Sequence, residues 1–314
     1  MPHTVNIPGI GNVVLVDREQ LRFRRHGRCF WFADHLPALG APPVPPGTFD
    51  WSNGEAIKFP MLGNDQYGDC YYAAVAHASQ SFTGNSGAEC SFDVNALTRR
   101  YLQIAGGDNG LDDGTIFPEW RAGIVGPNGP RKILDEMTVD PKNLASVELA
   151  MWAFGGLLFT CSLPASWANN ANPGATWGPA SGGIVGGHAM HLSGRKNGSS
   201  DLRTWGISPP INLTDAGMAS VDTELIVAFS VDQFKPDGTC AFTGMSWDQK
   251  RTLWTSCGGK DVGPSPFPPV PNPPDPNPPN PNPPAPGSGW TIRMPSGSAE
   301  GTYDAIPALP APPG

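Results

Sequence analysis

The sequence predicts an α+β fold in which a helix-rich part is followed by a strand-rich part. Apolar residues recur at helical spacing between residues 70 and 154, and short apolar or β-branched runs follow from residue 157 to residue 231. A third observation sets the C-terminal limit of the folded body. Prolines take 14 of the 23 positions from 264 to 286, a density that neither a helix nor a central strand accommodates.

These composition changes divide the chain into four segments. Residues 1–46 form an N-terminal arm or propeptide-like segment that ends in the proline cluster of residues 42–46. Residues 47–262 form the folded body, and residues 263–287 are predicted to be an extended polyproline II linker. Residues 288–314 are too few for an independent core. We expect this tail to anchor the chain to an assembly partner or to be disordered.

Helices are predicted mainly in the first half of the body. A polar turn over residues 63–69 leads into an apolar helix that begins at Cys70. Residues 92–105 carry an apolar stripe that glycines end, and residues 144–154 follow an Asp-Pro helix start. Strands are predicted at residues 13–16 in the arm and, in the body, at residues 157–163, 187–193, 202–207 and 224–231, the last being central.

Composition excludes several classes of function. A net charge of −8 with only 15% charged residues argues against nucleic acid as the partner. No apolar run reaches the roughly 20 residues of a membrane span, and the N-terminus lacks the features of a signal peptide. A soluble protein is expected, with its location open, including virion association or a non-classical export route.

The six cysteines contain no CxxC pair, so we do not expect a zinc site. No other metal and no cofactor is expected. The pair that we would test first for a disulfide is Cys240 with Cys257. Cys70 stands apart because it opens a predicted helix, where free backbone N–H groups and the helix dipole lower a thiol pKa. His188 is the candidate base for such a nucleophile.

Three motifs in this order resemble the papain-type cysteine peptidases. They are Asp50-Trp51 ahead of the Cys70 turn, Gly187-His188-Ala189, and Thr204-Trp205-Gly206, and the resemblance spans residues 47–232. The Gly-Asn-Asp-x-x-Gly-Asp-Cys turn looks more like divergent members encoded by bacteriophages. The resemblance implies a two-lobed papain-like fold, with a helical lobe and an antiparallel β lobe.

The resemblance also implies a thiol endopeptidase that acts on a peptide or protein substrate. Cys70 and His188 would form a thiolate–imidazolium pair, and attack on the substrate would give an acyl-enzyme. The family's oxyanion glutamine has two candidates here, Gln66 and Asn64, either of which can donate an amide N–H. Trp205 would shield the site.

The third catalytic position departs from the family pattern. The residue that aligns with the family's orienting asparagine is Arg203, whose guanidinium has no acceptor for an imidazole N–H. Either Asp201 or a backbone carbonyl orients His188, or the triad is degenerate. The alternative function is therefore a catalytically weakened papain-like domain that serves as a binding or structural module, for example on a virus particle.

Overall fold

The computed structural model describes residues 2–17, 28–30, 44–87, 90–124, 126 and 129–268. Most of the predicted linker, the whole C-terminal tail and much of the N-terminal arm lie outside these residues. Within the part of the chain that is described, no helix is both long and apolar enough to cross a membrane.

Helices and strands both contribute heavily to the described chain. The helices are α1 (Cys70–Ser86), α2 (Val94–Ile104), α3 (Asp113–Ala122), α4 (Leu144–Phe154), α5 (Ala165–Ala168), α6 (Asp215–Ala219) and α7 (Trp247–Ser256). The strands are β1 (His3–Ile7), β2 (Gly11–Leu15), β3 (Cys29–Phe30), β4 (Thr48–Asp50), β5 (Asp135–Val139), β6 (Leu157–Pro164), β7 (Thr176–Trp177), β8 (Ile184–Lys196), β9 (Ser199–Arg203), β10 (Ile211–Thr214) and β11 (Thr223–Phe229).

Most strands of the body belong to one sheet. Their order is β3-β5-β11-β6-β8-β9-β10-β7, and β4 pairs with β8 in addition. The pairs are antiparallel except for β3 with β5 and β7 with β10. The predicted α+β class is therefore confirmed. The predicted strand 224–231 corresponds to β11, which is buried along nearly its whole length between β5 and β6.

Helix α1 brings its first residue into the interior of the fold. Nearly all of its side chains are buried, and it packs against strand β8. It ends at Gly87, whose φ of 88° places it in the left-handed region that favours glycine. Because α1 is surrounded rather than amphipathic, its N-terminal residue Cys70 faces protein instead of solvent.

The N-terminal arm begins with a separate hairpin of β1 and β2, which we call the N-terminal hairpin (residues 2–17). The side chains of Ile7, Val13, Leu15 and Val16 are fully buried, so the hairpin packs onto the body. Val16 pairs with Gly187 of β8 in an isolated antiparallel bridge. The hairpin is thereby attached to the strand that carries His188.

Two sequence predictions about this architecture are wrong. The strand expected over residues 202–207 ends at Arg203, because the chain turns through Trp205 and Gly206, both with positive φ. The Cys240–Cys257 disulfide does not form, and all six cysteines are free. Cys240 lies instead beside the amine of Lys250, as described below.

Candidate active site

Cys70 is a buried, neutral thiol in this structure. Its side chain is only 2% exposed, at the first position of α1. Burial raises the pKa of Cys70 to about 12, and hydrogen bonds from the backbone of Ala189, Tyr71 and Cys70 itself offset this only in part. The helix N-terminus that was expected to lower the thiol pKa is outweighed by desolvation.

His188 lies on β8 and is also buried. Its Nε2 is 2.6 Å from Thr204 Oγ1, whereas its Nδ1 is buried without a hydrogen-bond partner. The indole of Trp205 stacks on the imidazole, with ring centres 4.4 Å apart and planes 18° from parallel. Burial lowers the pKa of His188 to about 3, so the imidazole is neutral.

Cys70 and His188 line the same small cavity, which has room for about one water molecule. Its walls come from α1 and the preceding turn on one side and from β8 and the 203–205 turn on the other. The lining residues are Met61, Asn64, Cys70, Ala73, Ala74, His77, His188, Ala189, Arg203, Thr204 and Trp205. The structure thus brings together the two residues that the sequence singled out, and adds Thr204 to them.

The Asn64 side chain makes hydrogen bonds to three parts of the fold. Its Oδ1 accepts a hydrogen bond of 2.9 Å from Trp205 Nε1. Its Nδ2 donates to the carbonyl oxygens of Val14 and Tyr67, at 3.2 and 3.1 Å. Both amide hydrogens are therefore engaged, which disfavours Asn64 as an oxyanion donor. Gln66 is exposed and does not line the cavity, so it would have to turn inward to donate there.

Neither Arg203, which aligns with the family's orienting asparagine, nor Asp201 makes a hydrogen bond to His188. Arg203 Nη1 lies 2.6 Å from Glu55 Oε1, its Nε donates to Ser193 Oγ at 2.8 Å, and its guanidinium lies over the Phe59 ring at 5.0 Å. Asp201 pairs with Gly194 in the β8–β9 ladder and does not line the cavity. Thr204 holds the imidazole instead.

The resemblance to the family motif drew attention to Arg203 and away from its neighbour Thr204. Arg203 stands two positions before Trp205, and in a continuous strand residues two apart lie on the same face, so alternation would put Arg203 beside the indole. That argument fails because the strand ends at Arg203 and Trp205 has a φ of 49°. Thr204, the hydroxyl residue next to Trp205 in sequence, is the one that contacts His188.

We expect Glu55→Ala to lower the free energy of unfolding by about 3 kcal/mol, since Arg203 would stay buried without its carboxylate. Urea unfolding followed by circular dichroism measures this. The matched control is Glu148→Ala: Arg195 loses one contact at 2.9 Å but keeps its two hydrogen bonds to Asp215, so the loss should stay below about 1 kcal/mol. Equal losses in the two variants would contradict the prediction.

The Glu55 effect should also depend on pH. Burial raises the pKa of Glu55, but hydrogen bonds from Arg203 and Ser208 outweigh it, and the net pKa is lowered. A carboxyl whose folded pKa is lowered contributes stability above its ordinary pKa and loses it as the pH falls through the folded value. The difference between wild type and Glu55→Ala should therefore shrink in acid.

No three His, Cys, Asp or Glu side chains of the described residues gather in a way that could hold a metal ion. The chemistry that the cavity offers is that of a thiol, an imidazole with one free nitrogen, and a hydroxyl that fixes the other nitrogen.

Comparison with known proteins gives structural likeness alone. No protein-family model and no curated protein sequence matches this chain. Among solved structures it is similar to xylellain, a cysteine protease from Xylella fastidiosa, at 14% identity and a TM-score of 0.49, over 64% of this chain and 91% of that one. It is also similar to procathepsin B of Trypanosoma congolense (13%, TM-score 0.46, 64% and 81%) and a Carica candamarcensis cysteine protease (13%, TM-score 0.40, 59% and 99%). These neighbours are papain-like cysteine proteases, and the likeness says nothing of activity.

Proposed function

We propose that the chain is a cysteine-type endopeptidase that hydrolyses peptide bonds through Cys70 and His188, and that the structure describes its closed state. One observation carries the proposal. Cys70 and His188 line one cavity, and His188 presents a free Nδ1 while Thr204 holds its Nε2. A free imidazole nitrogen in the same cavity can take the thiol proton once the two atoms come within hydrogen-bond distance, and in the closed state His188 Nδ1 and Cys70 Sγ are not hydrogen-bonded.

The proposed reaction uses these groups in order. His188 Nδ1 takes the proton of Cys70, and the thiolate sulfur attacks the carbonyl carbon of a peptide bond. The C–N bond breaks as His188 returns the proton to the leaving amine, which leaves a thioester on Cys70. Water, deprotonated by His188, then attacks the thioester carbonyl carbon, the C–S bond breaks and the acid leaves, and His188 returns the proton to the Cys70 sulfur. Trp205 shields the imidazole from solvent, and the backbone N–H of Cys70 is the candidate oxyanion donor.

Burial disfavours, in the closed state, the thiolate–imidazolium pair expected from the sequence. With pKa values of about 12 for the thiol and about 3 for the imidazole, the proton stays on the sulfur at neutral pH. Both shifts have burial as their largest cause. Opening the site to water would lower the first value and raise the second, so opening is the activating step in this proposal.

The N-terminal hairpin is the element that we propose keeps the site closed, in keeping with a propeptide-like role for residues 1–46. Gly187, the residue directly before His188, donates its N–H to the Val16 carbonyl at 2.7 Å. The Val14 N–H donates to the Asn64 carbonyl at 3.0 Å. His3 Nε2 bonds with the Val185 carbonyl at 2.7 Å. The hairpin is thus fastened to both walls of the cavity.

Hydrolysis of fluorescein-labelled casein tests the function. The chain with Val16→Asp, a buried charge that loosens the hairpin, is expected to cleave casein, and adding Cys70→Ser should reduce cleavage to background. The matched control adds Cys29→Ser to the Val16→Asp chain, because Cys29 is a free cysteine on the edge strand β3. This substitution should leave cleavage unchanged. Cleavage that persists without the Cys70 thiol would overturn the proposal.

In the second candidate function, the papain-like domain is a binding or structural module and does not cleave peptide bonds. The sealed thiol favours it, because Cys70 is only 2% exposed. In that case Cys70 would stay unreactive after the hairpin is loosened, and no variant would cleave casein. An anchoring role for residues 288–314, on a virus particle or another assembly, and a relation to bacteriophage-encoded members belong to this candidate.

A further inference from the structure

Lys250 on α7 is a fully buried lysine. In the described part of the chain no carboxylate lies within ion-pair distance of it. Its Nζ donates instead to Cys240 Sγ at 3.3 Å. A buried amine normally requires a compensating anion or the loss of its charge, so a thiol as its polar partner is unusual.

Aromatic rings surround the Lys250 amine. Its nitrogen lies 5.0 Å from the ring centre of Phe154, 5.1 Å from Phe234, 5.4 Å from Phe242 and 5.6 Å from Phe229. Ring faces at these distances stabilise an ammonium, most strongly where water is excluded. Burial lowers the pKa of Lys250, and the rings together with the charge of Cys240 oppose that loss of charge only in part.

The charge balance at Cys240 agrees with this arrangement. Burial raises the pKa of the Cys240 thiol, but the charge of Lys250 and hydrogen bonds from Thr243 and Phe242 outweigh it, and the net pKa is lowered. Cys257 provides the contrast, since burial alone raises its pKa to about 12. Of these two buried cysteines in the C-terminal part of the body, Cys240 is the one whose thiol pKa is lowered.

We propose that Cys240 and Lys250 form a redox modification site at which a peroxide joins the two side chains by a covalent sulfur–nitrogen bond. The Cys240 thiolate attacks hydrogen peroxide, the O–O bond breaks, and sulfenic acid and hydroxide form; the hydroxide takes the proton of the Lys250 ammonium and becomes water. The free amine then attacks the sulfenic sulfur, and a second water leaves. The net reaction oxidises the thiol and amine by two electrons and reduces one peroxide to two waters.

The backbone around Cys240 places the sulfur for this reaction. The Cys240 N–H donates to the Met245 carbonyl at 2.7 Å, and the Gly244 N–H donates to the Cys240 carbonyl at 2.8 Å. The loop is therefore fixed on its own, and the long lysine side chain is the part that moves to form the bond. The link would tie this loop to α7, independently of the proposed peptidase activity.

The test is a peptide map of the full-length chain treated with hydrogen peroxide, quenched with catalase, alkylated and digested without reduction. We expect a Cys240–Lys250 cross-linked peptide, about 2 Da lighter than its two parts, that dithiothreitol separates. Cys257 should remain a free thiol over the same exposure. Lys250→Met removes the amine and should abolish the cross-link, while the exposed Lys260→Met should leave it intact.

Oxidation of Cys240 in the native chain to sulfinic acid without a link to Lys250 would overturn the proposal. So would oxidation of Cys257 while Cys240 remains a free thiol. Both outcomes are read on the unsubstituted protein, so the test stands even if Lys250→Met does not fold.

Discussion

Replacing Val16 with aspartate is expected to raise the rate at which iodoacetamide alkylates Cys70 at pH 6 by about three thousandfold. A thiol with a pKa of about 12 is ionised in about one molecule in a million at pH 6, and the thiolate is the reactive form. Relaxation to an ordinary thiol pKa of about 8.5 raises that fraction to about three in a thousand. Pairing with His188 would raise it further.

The size of this effect follows from the position of Val16. Its side chain is fully buried and its backbone pairs with Gly187, so a carboxylate there would have to leave the interface and take the hairpin with it. Thr4→Asp is the matched control, because Thr4 is exposed on β1 of the same hairpin.

Mass spectrometry of the Cys70 peptide over time measures the rate, and circular dichroism checks that the body stays folded. A rate in the folded Val16→Asp chain no faster than in the Thr4→Asp chain would show that the hairpin does not control access to Cys70.

The elements that carry the candidate site could be predicted from the sequence because their signals are local. A polar turn followed by an apolar run marked the start of α1 at Cys70, and β8 and β11 stood out as apolar strands. The α+β class followed from the order of these elements. The meeting of Cys70 and His188 came from the family resemblance, since no local pattern relates two residues so distant in sequence.

The protonation state of the site could not be predicted, because it depends on long-range burial. Nothing local indicates that Val16 pairs with Gly187 or that Val14 and Asn64 exchange hydrogen bonds. These contacts hold the hairpin against both walls of the cavity, and burial of Cys70 reverses the pKa direction expected for its thiol. The role of Thr204 was missed for a different reason, since the strand ends one residue before it and alternation no longer applies.

Replacing His188 with alanine in the Val16→Asp chain is expected to lower the rate of casein cleavage by about 10²- to 10⁴-fold, the usual contribution of a positioned base. The alkylation of Cys70 should change in its pH dependence as well. With His188 present, reactivity should extend into acid as a thiolate–imidazolium pair; without it, reactivity should follow the titration of a single thiol. A merely structural role for His188 would not move this profile.

Two substitutions of Thr204 test whether its hydroxyl orients His188 in the Cys70–His188 pair. Thr204→Val keeps the branched shape but removes the oxygen 2.6 Å from His188 Nε2, so the imidazole loses the contact that fixes this nitrogen. We expect a loss of about 10- to 100-fold in cleavage rate, a size typical of residues that orient a functional histidine. Thr204→Ser keeps the hydroxyl and should retain most of the rate. If valine and serine at this position behave alike, the hydroxyl does not orient His188.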